Sequence, residues 1–422
     1  MTLNPHEEPQ LVLSGQRLFS DPWTEIHPPA ILIDQGSGRI LATGDDALAV
    51  ASPTASRKHF PREVLFPALI DCHVHLLLDA DGAPGETTVD CSDAALLERA
   101  MRNAGEAVRA GTTTVADQGG RPPVIFNARE GARLHPHTHA YVLAAGCPIT
   151  TPREHMWYFR GEASGIPAVQ ALAQEMLDSG ADLLKIVATG GGTEGSNEFT
   201  PTFEEPEIQA AVDAAHQANR IAAAHASSRE GIRRALEVGC DVIHHCNFYR
   251  PDGIREFDPY LAERLAERNV SVDPTLWVSE SLIAKFRDSL STGDRNVRDA
   301  LDRLEERFAG KLVDISGLIA AGVRLIAGSD AGWQFVQFSD ACREVQSLAR
   351  AGLPSKEALA AATKHAAEAL KMASDIGTLT KGAWADVIVL TSDPAPDLTV
   401  LAQPVAVFHQ GRLVRSTEGT RV

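Results

Sequence analysis

Two histidines spaced two residues apart in PALIDCHVHL, His73 and His75, are the first residues able to do chemistry. On a strand, whose side-chain period is two, both imidazoles leave the same face and can converge on one ion. Lys185 follows in LLKIVAT. It is the single lysine between Lys58 and Lys285, in a chain with eight lysines against thirty-one arginines. An unpaired ammonium in such an apolar run is costly to bury. A desolvated neutral amine can instead take up carbon dioxide as a carbamate, whose two oxygens can bridge a pair of metal ions. His225 ends RIAAAHA, His244 and His245 stand together in CDVIHHC, and Asp330 lies in LIAGSDAG. Adjacent strand residues face opposite sides, so one of His244 and His245 should enter a shared interior, and spacing does not choose between them. Nitrogen and oxygen donors without cysteine suit Zn²⁺ first, with Mn²⁺ or Co²⁺ as alternatives.

These residues need a common frame, and the sequence between 67 and 375 supplies one. Eight short apolar runs, 68–76, 112–117, 139–146, 181–190, 220–226, 240–246, 270–276 and 323–332, alternate with amphipathic stretches. The alternation predicts an α/β fold, a (β/α)₈ TIM barrel. Helices are expected over 204–219, with Ile208, Ala211, Val212 and Ala215 on one face, over 229–239, and last over 355–372. The candidates above all lie at the same end of the proposed barrel, the C-terminal end of its strands, where active sites of this fold collect. The two chain ends read instead as short strands and turns. They predict a small discontinuous β-sandwich domain, 1–66 plus 376–422, beside the catalytic barrel of 67–375.

Other clusters carry less. GGGTEGSN (190–197) lacks the GK[ST] of a phosphate loop and reads as a loop over the site. Cys72 and Cys246 flank ligand candidates without a paired base and read as packing residues. His135, His137 and His139 fall at the start of the third run, the wrong end, and read as structural. Loops after the third, sixth, seventh and eighth runs, with His155, Tyr158, Arg160, Tyr249, Arg250 and Trp333, are the candidates for substrate contacts.

The 422 residues, 44% hydrophobic and 23% charged, fit a globular chain too long for one simple core. A net charge of −17, with no basic run against it, argues against nucleic acid or an anionic membrane as partner. No apolar stretch is long enough for a transmembrane helix, and the first ten residues, MTLNPHEEPQ, have neither a basic nor an apolar leader region. A cytoplasmic location is the expectation. Six cysteines without CxxC spacing fit reduced thiols.

Together the motifs resemble those of the amidohydrolase superfamily over nearly the whole chain. PALIDCHVHL is similar to its first-strand metal motif and LLKIVATGGG to the segment of its carboxylated lysine. IAAAHA and GCDVIHHC resemble its strand-five and strand-six histidine motifs, and LIAGSDAG its strand-eight aspartate motif. The tail IGTLTKGAWADVIVLTSDP resembles the return to the small β-sandwich. The likeness is greatest to the imidazolonepropionase-like branch with Xaa-Pro dipeptidases and ochratoxin-hydrolysing amidases. It implies two divalent ions, His73 and His75 on the more buried one and His225 and His245 on the other. Lys185, as its carbamate, would bridge them, with Asp330 as ligand and general base. His244 takes the place of the family's usual acidic residue before the strand-six histidine. The HxxE pattern of related deaminases is absent after His225. The implied reaction is hydrolysis of an amide, in an N-acyl amino acid, Xaa-Pro dipeptide or ochratoxin-like compound, by a metal-bridging hydroxide. Cyclic amide, urea or carbamate hydrolysis on the same centre is the alternative, with a non-catalytic barrel behind it. Relatives imply a homo-oligomer acting on a small molecule.

Overall fold

The computed structural model describes residues 9–290 and 295–417. The outer segments 1–8 and 418–422 of the expected small domain, and with them most of the stretch MTLNPHEEPQ, lie outside the described residues. Strands β1 (Gln10–Asp21), β2 (Thr24–Glu25), β3 (Ala30–Asp34), β4 (Arg39–Thr43) and β5 (Ser56–Pro67) come first. Each of the eight apolar runs then starts one strand, the fifth and sixth strands of this set continuing past their runs: β6 (Leu69–Val74), β7 (Thr112–Asp117), β8 (Tyr141–Ala144), β9 (Leu183–Val187), β10 (Ile221–Ser228), β11 (Val242–Tyr249), β12 (Ser271–Asp273) and β13 (Arg324–Leu325). The chain closes with β14 (Val387–Leu390), β15 (Ala406–His409) and β16 (Arg412–Ser416).

The two chain ends meet in one hydrogen-bonded sheet, ordered β16-β15-β14-β5-β1-β3-β4 with β2 beside β1. The antiparallel pair β5 and β14, Val64 opposite Leu390 and Pro67 opposite Val387, joins them. Strand alternation divides its apolar residues: Leu11, Leu13, Ile31 and Ile33 pack in one cluster, Val12, Leu32 and Ala42 in another. Where a sandwich is expected, the hydrogen bonds thus form a single eight-stranded sheet.

The middle strands pair in parallel as two sheets, β6-β7-β8 and β13-β12-β11-β10-β9. Backbone hydrogen bonds cross both gaps. Ile149 N donates to Lys185 O at 2.8 Å on one side; on the other, Cys72 N donates to Ala327 O at 2.9 Å and Asp330 N to His73 O at 2.8 Å. Beyond Ile326, which still donates to Val272 O of β12, residues of the last run bond to β6 and its C-terminal extension singly. Register sets the interior layers. Lys185 lies opposite Ala223, and two residues further His225 lies opposite His244, itself opposite Asp273. Lys185 therefore starts one layer below the histidines and needs its long side chain to reach them.

Helices Glu205–Gln217 and Arg229–Glu237 form where the periodicity predicts. The first buries Ile208, Ala211, Val212 and Ala215, and Glu207 closes a capping box onto the Glu204 amide. The second is capped by Ser228, whose Oγ accepts from Gly231 N at 3.2 Å. The last predicted helix differs: it is broken into Ser355–Ala361 and Lys364–Ala369. The Ala361 and Ala362 carbonyls accept from Ala327 and Ile70 of the parallel strands, so they cannot continue the helix. No described helix is long and apolar enough to cross a membrane.

Candidate metal centre

The six residues the motifs single out, His73, His75, Lys185, His225, His245 and Asp330, line one cavity of about 280 Å³. It opens at the C-terminal ends of the parallel strands. Asp330 Oδ1 stands 3.5 Å from His73 Nε2 and 3.3 Å from His75 Nε2. The His225 and His245 ring centroids are 4.5 Å apart, and those of His73 and His245 5.3 Å. One donor atom from each of His73, His245 and Asp330 lies within 4.8 Å of the other two.

Each imidazole has one nitrogen fixed by the protein. His73 Nδ1 donates to Asp273 Oδ2 at 3.0 Å, His75 Nδ1 to the Gly119 carbonyl at 3.3 Å, and His225 Nε2 to the Gly190 carbonyl at 3.0 Å. His245 Nδ1 lies 2.8 Å from Thr275 Oγ1. The second nitrogen of each ring is left for a ligand, the arrangement by which proteins orient metal-binding histidines. Burial lowers the His73, His225 and His245 rings below the usual histidine range, His225 to about 3, with the neighbouring Lys185 cation among the further causes. They are therefore neutral, the form that binds metal.

Lys185 is only 1% exposed, and burial pushes its amine down to about 7 against the opposing pull of Asp330, Asp273 and Asp117. Its Nζ and Asp330 Oδ1 are buried without a hydrogen-bond partner. A buried amine and carboxylate oxygen left bare among neutral imidazoles are what a bound cation and its bridging group would satisfy. The residues present fit a divalent metal centre.

Both neighbours on β11 approach His73, contrary to simple alternation. His244 points into the interior in step with His225, and its Nδ1 donates to Asp273 Oδ2 at 2.8 Å. His245 adopts φ +67° and Cys246 φ +48°, and this turn swings His245 into the cavity. His244 lies behind it with Nε2 unpartnered. Gly328 supplies the close approach of the last run: a Cβ there would come within 2.3 Å of Asp273 Oδ2 and 2.6 Å of His73 Cβ.

Of the proposed substrate contacts, His155, Tyr158, Tyr249 and Trp333 line the cavity. The other two, Arg160 and Arg250, do not line it. Arg160 is exposed at the end of a 3₁₀ turn, and Arg250 faces a different cavity, where it pairs with Asp252 at 2.8 Å. The glycine-rich segment contacts the site: Thr193 Oγ1 lies 2.9 Å from His155 Nδ1, and Gly191 and Gly192 line the cavity. Cys72 and Cys246 are buried free thiols. Sequence reasoning missed Asp273, although it sits in the seventh run, at a C-terminal strand end like the other candidates. It also missed Arg255, Arg307 and Lys311, cavity residues on a loop and a helix that carry no motif.

The model of the amidohydrolase family matches residues 64–414. Ochratoxinase of Aspergillus niger is 27% identical over 375 residues, spanning 82% of this chain and 74% of its own. A prolidase solved in complex with N-methylphosphonate-L-proline superposes with a TM-score of 0.81 at 25% identity, over 97% of this chain and all of the other. The crystal structure of A. niger ochratoxinase also gives 0.81, at 22% identity over 97% of this chain and 96% of its own.

Proposed function

The chain belongs to the amidohydrolase family, a family of hydrolases acting on amide and other C–N bonds, and from that premise we propose that it cleaves an amide joining an acyl group to an amino acid. The substrate class is that of N-acyl amino acids, Xaa-Pro dipeptides and ochratoxin-like amides, as the names of its relatives suggest. In this reading the two parallel sheets are one (β/α)₈ barrel over 67–375, and the terminal sheet is the small β-sandwich domain of 1–66 plus 376–422. The protein is a cytoplasmic homo-oligomer, with neither nucleic acid nor membrane as partner.

His73 and His75 would hold one divalent ion and His225 and His245 the other, with Lys185, carboxylated by carbon dioxide, between them and Asp330 as a further ligand. Zinc suits these donors first. Divalent ions held there would lower the pKa of water and polarise the amide carbonyl. Asp330 accepts the proton of the attacking water. It then delivers that proton to the leaving nitrogen as the C–N bond breaks, so the amine departs neutral. His155 and Trp333, whose rings meet edge-on at 6.0 Å, and Tyr158 wall the cavity and limit water around the reacting carbonyl.

The observation that carries this reading is the set of four imidazoles, each secured through one nitrogen, around a Lys185 amine and an Asp330 oxygen with no partner of their own. The test is a screen of metal-loaded protein against N-acyl amino acids, Xaa-Pro dipeptides, ochratoxin-like amides, cyclic imides and neutral ureas. Release of free amino acid supports the reading, and turnover confined to ureas or cyclic imides contradicts it.

A further inference from the structure

The cavity wall beside His245 is cationic, in a chain of net charge −17. Arg255, Arg307 and Lys311 all line it. Two of the three are matched within the protein. Arg255 Nη1 pairs with Asp314 at 2.7 Å, Arg307 Nη2 pairs with Glu198 at 2.6 Å, and both guanidinium groups bond the Tyr249 hydroxyl, at 2.9 and 3.0 Å. Lys311 differs. It lies on the helix Arg295–Ala320 and is 6% exposed, and its Nζ makes one long contact, 3.5 Å to the Thr275 carbonyl. Among the described residues no carboxylate forms an ion pair with it.

Two of the acids whose charge reaches Lys311 are engaged elsewhere. Glu344 accepts the backbone amides of Leu276 and Trp277 at 2.9 and 2.7 Å, and Asp273 holds His73 and His244. Burial pushes the Lys311 ammonium below the usual lysine range, with Arg255 adding to the effect. A desolvated cation with no carboxylate in contact, drawn only by the longer-range pull of Glu344, Asp273 and Asp330, destabilises the free protein, and an anionic ligand arriving in the cavity would offset that cost. The position is close to the reaction: Thr275 contacts Lys311 through its carbonyl and His245 through its hydroxyl.

We infer that Lys311 is a specificity-determining residue whose ammonium receives a carboxylate of the amide substrate. The inference rests on the amide-hydrolase reading and deepens it. Two parts of an amide can carry that group: the leaving amino acid, as its α-carboxylate, or the acyl portion. Arg255 and Arg307, already neutralised, fix Tyr249 and shape the wall and do not supply the charge.

Matched pairs test it. N-acetyl-L-phenylalanine against N-acetylphenethylamine varies the carboxylate on the leaving side. N-succinyl-L-phenylalanine amide against N-butyryl-L-phenylalanine amide varies it on the acyl side. Each pair is measured as kcat/KM on the metal-loaded wild type, Lys311→Gln and Lys311→Met, and as binding affinity by calorimetry in the Asp330→Asn chain with and without Lys311→Gln. In at least one pair the wild type should favour the carboxylate member by roughly 30-fold or more, and the ratio should fall close to one in both Lys311 variants. The responding pair identifies which end of the substrate carries the charge. A wild-type ratio near one in both pairs overturns the inference without any variant, and so does a preference that survives both substitutions. If no amide is hydrolysed, the calorimetric ratios are read in the same way, so the carboxylate site and the amide-hydrolase reading stand or fall separately.

Discussion

Asp273 lies 200 residues beyond His73 in the chain, and its Oδ2 accepts a hydrogen bond from His73 Nδ1 at 3.0 Å. The same oxygen accepts from His244 Nδ1 at 2.8 Å. One buried carboxylate therefore fixes the tautomer of a candidate metal ligand, leaving its Nε2 unprotonated, and pins the ring behind it. A carboxylate partner in this place also raises the basicity of the ligand nitrogen.

Asp273→Asn keeps the shape and removes the charge. Metal affinity, measured by competition with a chromophoric chelator, should fall by about 10–100-fold. An unchanged affinity would remove Asp273 from its positioning role.

Asp330→Asn should leave the fold intact and reduce amide turnover by about 10²–10⁴-fold, the usual scale of a lost proton-transfer group. Steady-state kinetics at matched metal loading make the comparison. Near wild-type turnover would take Asp330 out of the proton-transfer role.

Lys185→Met should bind fewer metal ions per chain, because the bridging group is gone. The metal-free variant should also melt higher than the metal-free wild type, by an amount equivalent to about 1–4 kcal/mol, because an apolar side chain replaces a buried amine. Elemental analysis and thermal melts read the two effects. Full metal content in the variant would refute the bridge.

The strands that carry the ligand histidines are held by the helix Arg229–Glu237, and its charge pairs give a pH signature. Hydrogen bonding to Arg233, assisted by Arg234, lowers the Glu230 carboxyl to about 2. A folded-state value below the unfolded one stabilises the protein at pH above about 4.5, and the contribution is lost as pH falls from there towards 2. Glu230 is partly exposed, so the effect is within about 1 kcal/mol. Glu230→Gln should lower the melting temperature at pH 7 and match the wild type near pH 2. An equal deficit at both pH values would contradict the assignment.

Much of the site could be read from the sequence because it follows strand arithmetic. His73 and His75 share a face by the period of two, and the apolar runs ending at His225 and Asp330 mark strands whose ends meet. Lys185 stood out because an amine in an apolar run has no cheap alternative. The choice between His244 and His245 was not legible from spacing, since it depends on a left-handed turn at a non-glycine residue that only the surrounding packing enforces. Lys311 was hidden for a different reason. The sequence of its helix, RNVRDALDRLEERFAGKLVDISGLIA, is charged at so many positions that no residue distinguishes itself until the fold buries one of them. Arg160 and Arg250 are the converse: loop arginines placed near the site by sequence, whose side chains the fold leaves in water.

The central claim is that the four histidines, Lys185 and Asp330 form a two-metal amide hydrolase. Its most direct test is activity against bound metal: strip the protein with a chelator, return Zn²⁺ stepwise, and follow N-acyl amino acid hydrolysis against ions bound per chain. The account predicts that hydrolysis disappears on stripping and returns to a plateau at two ions per chain. Full hydrolysis in the stripped protein, or a plateau at one ion, would contradict it.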